Sequence, residues 1–117
     1  MKKYIITALI SIVIAFSAQA QTDQTIQESK FHVDGVCGMC KKRIEDAALR
    51  TKGVKLAEWN QSTKELSVTF KNTKVSEVEI KKAISKAGHE TDSIPADTSA
   101  YKLLPNCCKY KDGIKSH

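Results

Sequence analysis

Cys37-Gly38-Met39-Cys40 sets two thiols three positions apart, directly ahead of a segment whose apolar residues recur at helical spacing. At a helix start, the amides and the positive end of the dipole favour an anion, and Lys41, Lys42 and Arg43 follow at once. Both features lower the pKa of a thiol. Thiolates are soft ligands, and two of them on a loop, with no further ligand adjacent in sequence, suit a soft ion that accepts few donors. Cu(I) fits that description best, whereas structural zinc normally takes four protein ligands. Hg(II), Zn(II) and Cd(II) also accept thiolates, and the choice among them is set by geometry and supply.

Other soft or imidazole donors lie elsewhere in the chain. Met39 stands between the two cysteines and offers a thioether. His89, after Ala87-Gly88, offers an imidazole, and its plainer reading is an exposed histidine at a strand start. Cys107-Cys108 is open to three arrangements. The tail folds back to add sulfur to the Cys37 and Cys40 site, or the two form a second soft-metal site with His117, or one pairs with the first two in a disulfide. Adjacent cysteines rarely bond to each other, because the geometry is strained. His32 reads as a surface residue without a role.

Positioning these groups falls to short elements. Phe31-His32-Val33 reads as a strand ending at Asp34-Gly35. Ile44, Ala47, Ala48 and Thr51 line one side of a helix that begins near Cys40 and stops at Gly53. Val54 to Trp59 and Glu65 to Phe70 form a hairpin about a polar turn, with Leu66, Val68 and Phe70 alternating against Ser67 and Thr69. Ser76-x-x-Glu79 is a capping box ahead of Ile80, Ala83, Ile84 and Ala87, and Gly88 is the stop. His89 to Ile94 is a weak edge strand ended by Pro95. The order predicts an α+β, ferredoxin-like βαββαβ sandwich: a four-stranded antiparallel sheet with two helices on one face.

Val33-x-Gly35-x-Cys37-x-x-Cys40, then Ile44, Gly53-Val54, the hairpin and Ala87-Gly88 resemble the heavy-metal-associated domain family. That family includes copper chaperones, N-terminal modules of metal-transporting P-type ATPases and the periplasmic mercury-binding protein. The resemblance covers residues 30–94 and implies the ferredoxin-like fold, with metal held by Cys37 and Cys40 and passed on by ligand exchange. Gly35-Val36-Cys37 is one residue shorter than the family's usual Gly-Met-Thr-Cys and lacks the methionine that packs beneath the loop. The resemblance also implies that position 89, commonly Tyr or Lys in the family, sits close to the metal loop, which makes His89 a candidate third ligand or pH-sensitive neighbour.

Ahead of the domain, Lys2 and Lys3, an apolar run from Tyr4 to Phe16 and the Ala18-Gln19-Ala20 ending predict a signal peptide over residues 1–20. The run is too short to cross a hydrocarbon core of roughly 30 Å. Residues 21–29 read as a flexible polar leader and residues 95–117 as a cysteine-containing tail, with Tyr101, Leu103, Leu104 and Tyr110 apolar enough to dock in part. The expected location is the periplasm. The 117 residues carry a formal charge of +6, falling to +4 without Lys2 and Lys3. Basic and acidic residues are interspersed and aromatics are 6% of the chain, so nothing suggests nucleic-acid binding.

The predicted function is a metallochaperone-like carrier and not an enzyme, since neither a Ser/His/Asp set, paired carboxylates nor a phosphate loop is present. Its partners would be the ion and a metal-transporting membrane protein or periplasmic acceptor. It would act as a monomer or as a metal-bridged dimer. Two rivals remain open: an exported thiol-disulfide oxidoreductase, for which Cys-x-x-Cys at a helix start also suits, and an interaction domain stabilised by disulfides.

Overall fold

The computed structural model describes residues 25–112. The expected signal peptide over residues 1–20 and the candidate ligand His117 lie outside them.

Alternation governs the sheet. Leu66, Val68 and Phe70 of β3 (Glu65–Lys71) are buried while Ser67 and Thr69 are half-buried, so the strand presents one apolar face. β3 is the central strand, antiparallel to β1 (Ile26–His32) on one side and β2 (Val54–Asn60) on the other, with Phe31 opposite Leu66 and Trp59 opposite the same residue. The β2–β3 turn is closed by Asn60, whose Oδ1 accepts from the amides of Ser62 at 2.8 Å and Thr63 at 3.0 Å.

α1 (Gly38–Leu49) buries Cys40, Ile44 and Ala48, one residue per turn on one stripe. Lys41 and Lys42 pair with Glu45 and Asp46 one turn on. α2 (Glu77–Lys86) starts on the predicted capping box, with Ser76 Oγ accepting from the Glu79 amide at 3.2 Å. Its Ile80 and Ile84 join Ile44, Ala48, Phe31, Leu66, Val68 and Phe70 in one core.

Two expectations need correction. The sheet has three strands, not four. Around the predicted edge strand only the single antiparallel bridge Val33–Thr91 forms, flanked by Asp34 N–H to Glu90 O at 2.8 Å and Asp92 N–H to His32 O at 3.1 Å. Thr91 ends the pairing: its amide donates to Ile94 O at 3.0 Å and its Oγ1 accepts from the Ile94 amide at 3.0 Å, so the chain curls on itself. Residues 26–29, expected within a flexible leader, are instead part of β1 and pair with β3 from Lys71 to Val68. Backbone bonding orders them without an apolar pattern, which is why periodicity gave no sign of it.

The tail turns back onto the domain. Ser85 Oγ donates to Pro95 O at 2.6 Å and the Asp97 amide to Ser85 O at 3.0 Å, bringing α3 (Thr98–Lys102) beside α2. Gly88, at φ +100°, makes the close approach tolerable, since a Cβ there would lie 3.1 Å from Ala100 O and 3.2 Å from Leu104 Cδ2. Leu104 is buried, Tyr101 and Tyr110 are partly buried, and Leu103 points to solvent. Two short 3-10 turns follow, Asn106–Cys108 and Tyr110–Asp112.

Candidate metal centre

Val33 to Cys37 forms the loop between β1 and α1, and its carbonyls are tied from three directions. Trp59 Nε1 donates to Val33 O at 3.0 Å, His89 Nδ1 to Asp34 O at 2.8 Å and Gln61 Nε2 to Val36 O at 3.2 Å. Trp59 is wholly buried, and its ring fills the space beneath the loop: a Cβ on Gly35 would stand 3.0 Å from both Cys40 Cβ and that ring. A glycine is therefore required for the indole to support the loop at that distance.

Held on this platform, Cys37 Sγ lies 3.5 Å from Cys40 Sγ. Cys37 is the extended residue just before α1, and Cys40 sits in the helix's first turn facing the core. A third sulfur arrives from the tail. Cys108, wholly buried, places its Sγ 3.6 Å from that of Cys37, and the three Sγ atoms all lie within 4.8 Å of one another. All four cysteines are free thiols.

The three thiols differ in acidity. Burial alone would push Cys37 up, but hydrogen bonds from the backbone amide and thiol of Cys40, the Cys108 thiol and the Met39 amide outweigh it and hold it below the ordinary thiol value. Burial pushes Cys40 up. It also pushes Cys108 up, and the neighbouring thiols of Cys40 and Cys37 add to the effect. Cys37 is thus the most acidic of the three, and an ion bound by the other two would have to displace their protons. Lys41 and Lys42, which follow the site in sequence, pair with Glu45 and Asp46, and Lys41 also donates to Trp59 O.

His89 is not at the surface. It is fully buried, and its nitrogens are not among the atoms of the sulfur cluster. Because the Asp34 carbonyl can only accept, Nδ1 carries the hydrogen and Nε2 the lone pair; Nε2 is buried and has no partner among the described residues. Burial lowers the His89 pKa, opposed by the bond to Asp34, with Arg43 adding to the lowering. Tyr110 stacks on the ring at 5.5 Å between centroids, and its hydroxyl donates to Gly88 O at 2.8 Å while accepting from the Glu90 amide at 3.0 Å. The tail is thereby fastened to the chain on either side of His89. Cys107 is half-buried, with its S–H directed at Met39 Sδ. His32 is exposed and bonded to Asp34.

Trp59, Gln61 and Tyr110 went unnoticed as parts of the site in the sequence. The only tryptophan of the chain, on the strand paired with the hairpin partner, was the one available signal.

This arrangement, two thiols at a β1–α1 junction packed on a βαββα core, defines a metal-binding module. Over residues 30–90 the sequence matches the heavy-metal-associated domain, and the chain belongs to that family. Among solved structures, CopZ metallochaperone is 30% identical, with 56% of this chain matched to 98% of that one at a TM-score of 0.54. A copper-binding domain from HMA7, a P-type ATPase, is 29% identical over 56% of this chain and 89% of its own, TM-score 0.54. Oxidized MerP from Ralstonia metallidurans CH34 is 26% identical over 57% of this chain and 94% of its own, TM-score 0.55. No curated protein matches the chain significantly. The family match ends at residue 90, so Cys107 and Cys108 belong to the segment beyond it.

Proposed function

We propose that the protein is an exported carrier that captures Cu(I) in the periplasm and hands it to a metal-transporting membrane protein or a periplasmic acceptor. The observation that carries this reading is the cluster of Cys37, Cys40 and Cys108, three sulfurs within 4.8 Å of one another. Three convergent thiolates suit a soft monovalent ion that takes low coordination, while zinc would ask for a fourth donor. The likeness to a CopZ metallochaperone and to a copper-binding P-type ATPase domain agrees with copper as cargo. The likeness to MerP makes Hg(II) the first competitor. Export rests on the charged start, apolar run and Ala18-Gln19-Ala20 ending of the sequence.

The ion is cargo, moved without chemical change. Cys37, the most acidic of the three, meets it first, Cys40 and Cys108 close around it as the protons leave, and release runs in reverse when an acceptor's thiolate or thioether takes one position. With the third sulfur supplied from the same chain, the carrier works as a monomer.

Anaerobic titration of the reduced protein with Cu(I) against a chromophoric chelator tests the reading. Tight binding that disappears in Cys37→Ser/Cys40→Ser and weakens in Cys108→Ser supports it. If the reduced wild type cannot compete with the chelator, the cysteines are a redox pair or a disulfide framework instead.

A further inference from the structure

We infer a second soft-metal subsite at the rim of the first, made by the Cys107 thiol and the Met39 thioether and joined to the three-thiol centre through Cys108. It rests on the carrier function above and adds to it a place for another Cu(I).

The geometry begins with the turn that carries the two tail cysteines. Pro105 precedes the 3-10 turn Asn106–Cys108, closed by the Cys108 amide on Pro105 O at 2.8 Å. In this turn Cys108 is wholly buried against Cys37, while its neighbour Cys107 is only half-buried and reaches Met39. Cys107 Sγ lies 3.4 Å from Met39 Sδ and 4.0 Å from Cys108 Sγ. Met39, Cys107, Cys108, Cys37 and Cys40 therefore form an unbroken line of sulfur contacts running from solvent to core.

Exposure gives that line a direction. Met39 is 51% exposed, whereas Cys37 is 6% exposed and Cys40 and Cys108 are fully covered. An exposed methionine adds little to the core, so packing does not account for its contact with a thiol. Ligand exchange needs a sulfur that an incoming ion or an acceptor can touch, and the rim pair supplies it. Thioether and thiolate are both donors that select Cu(I). In binding, Met39 contributes a lone pair and loses no proton; Cys107 gives its proton to solvent as its sulfur bonds the ion, and copper stays Cu(I) throughout. A thiolate has lone pairs enough for two ions, so Cys108 can bridge the outer ion to the inner one.

The test is the Cu(I) stoichiometry of the reduced full chain, with wild type compared to Cys107→Ser/Met39→Leu and with the Met39 methyl resonance followed by NMR. Both substitutions are near-isosteric at partly exposed positions, and matching thermal unfolding curves check that the variant folds. Two equivalents in wild type, one in the variant, and a Met39 methyl shift that comes mainly with the second equivalent are expected. A single equivalent in wild type overturns the rim subsite and leaves the carrier reading in place. Two equivalents in both proteins overturn the assignment to Met39 and Cys107. No tight uptake by wild type overturns the carrier reading and the subsite with it.

Discussion

Cys108 Sγ lies 3.6 Å from Cys37 Sγ, although 71 positions separate the two residues in sequence. The tail thereby completes a site whose other two thiols come from a single helix start. Replacing Cys108 with Ser should lower Cu(I) affinity by at least about tenfold, or ~1.4 kcal/mol, while leaving tight binding by Cys37 and Cys40. It should also expose the ion to a second chain, so that the loaded variant dimerises where the loaded wild type does not. Competition titration and size-exclusion chromatography read the two effects; unchanged affinity would mean that Cys108 does not share the ion.

Proton release sets the pH dependence of uptake. Cys40 and Cys108 hold their protons above the ordinary thiol range, and in the proposed three-thiolate site each would lose one on ion binding. Apparent Cu(I) affinity should therefore rise with pH, by up to about tenfold per unit for each proton released. Titrations at pH 6 and pH 8 measure the slope, and a flat response would contradict three-thiolate binding.

His89 gives stability its own pH dependence. Its folded pKa is depressed by burial below the ordinary value of 6.5, so the unfolded chain takes up a proton that the folded chain does not. Stability is fully present above that value and falls as pH drops through 6.5, levelling only once the folded residue also protonates. The slope approaches about 1.4 kcal/mol per pH unit at its steepest. Denaturant unfolding at pH 7.5 and 5.5 should show the loss in wild type and a reduced loss in His89→Phe, even though that variant starts lower for want of the bond to Asp34.

Gly35 and Trp59 form the support of the loop. Gly35→Ala places a methyl 3.0 Å from Cys40 Cβ and from the indole, both on well-packed neighbours. The expected cost is about 1–3 kcal/mol of stability, together with weaker Cu(I) binding from a displaced Cys40. Thermal unfolding beside the competition titration checks it; a variant equal to wild type in both would show that the loop gives way freely.

Local patterns made much of this legible from the chain. The Cys-x-x-Cys pair, the alternation in β3, the capping box at Ser76 and the stop at Gly88 each depend on a few consecutive residues, and each appears where expected. What escaped depends on distant partners. The edge strand looked acceptable until Thr91 Oγ1 competed for the backbone, and residues 26–29 became a strand only because β3 offered them an open ladder. His89 reads as exposed unless Tyr110 is known to lie on it. Which of the three arrangements Cys107-Cys108 adopts could not be read locally either, since it is decided by how Leu104 and Tyr110 dock the tail.

The docking of that tail has a thermodynamic counterpart. Cys108 is carried by a segment held down by Leu104, by the Tyr110 hydroxyl on Gly88 and by the packing of Ala100 against the same glycine. Whatever free energy an ion gains from the third sulfur is, by reciprocity, the free energy with which the ion clasps the segment to the domain. An acceptor that loosens the segment would then draw off the cargo without competing for Cys37 or Cys40 first, and loading would be legible at a distance as a tail held more firmly to the domain.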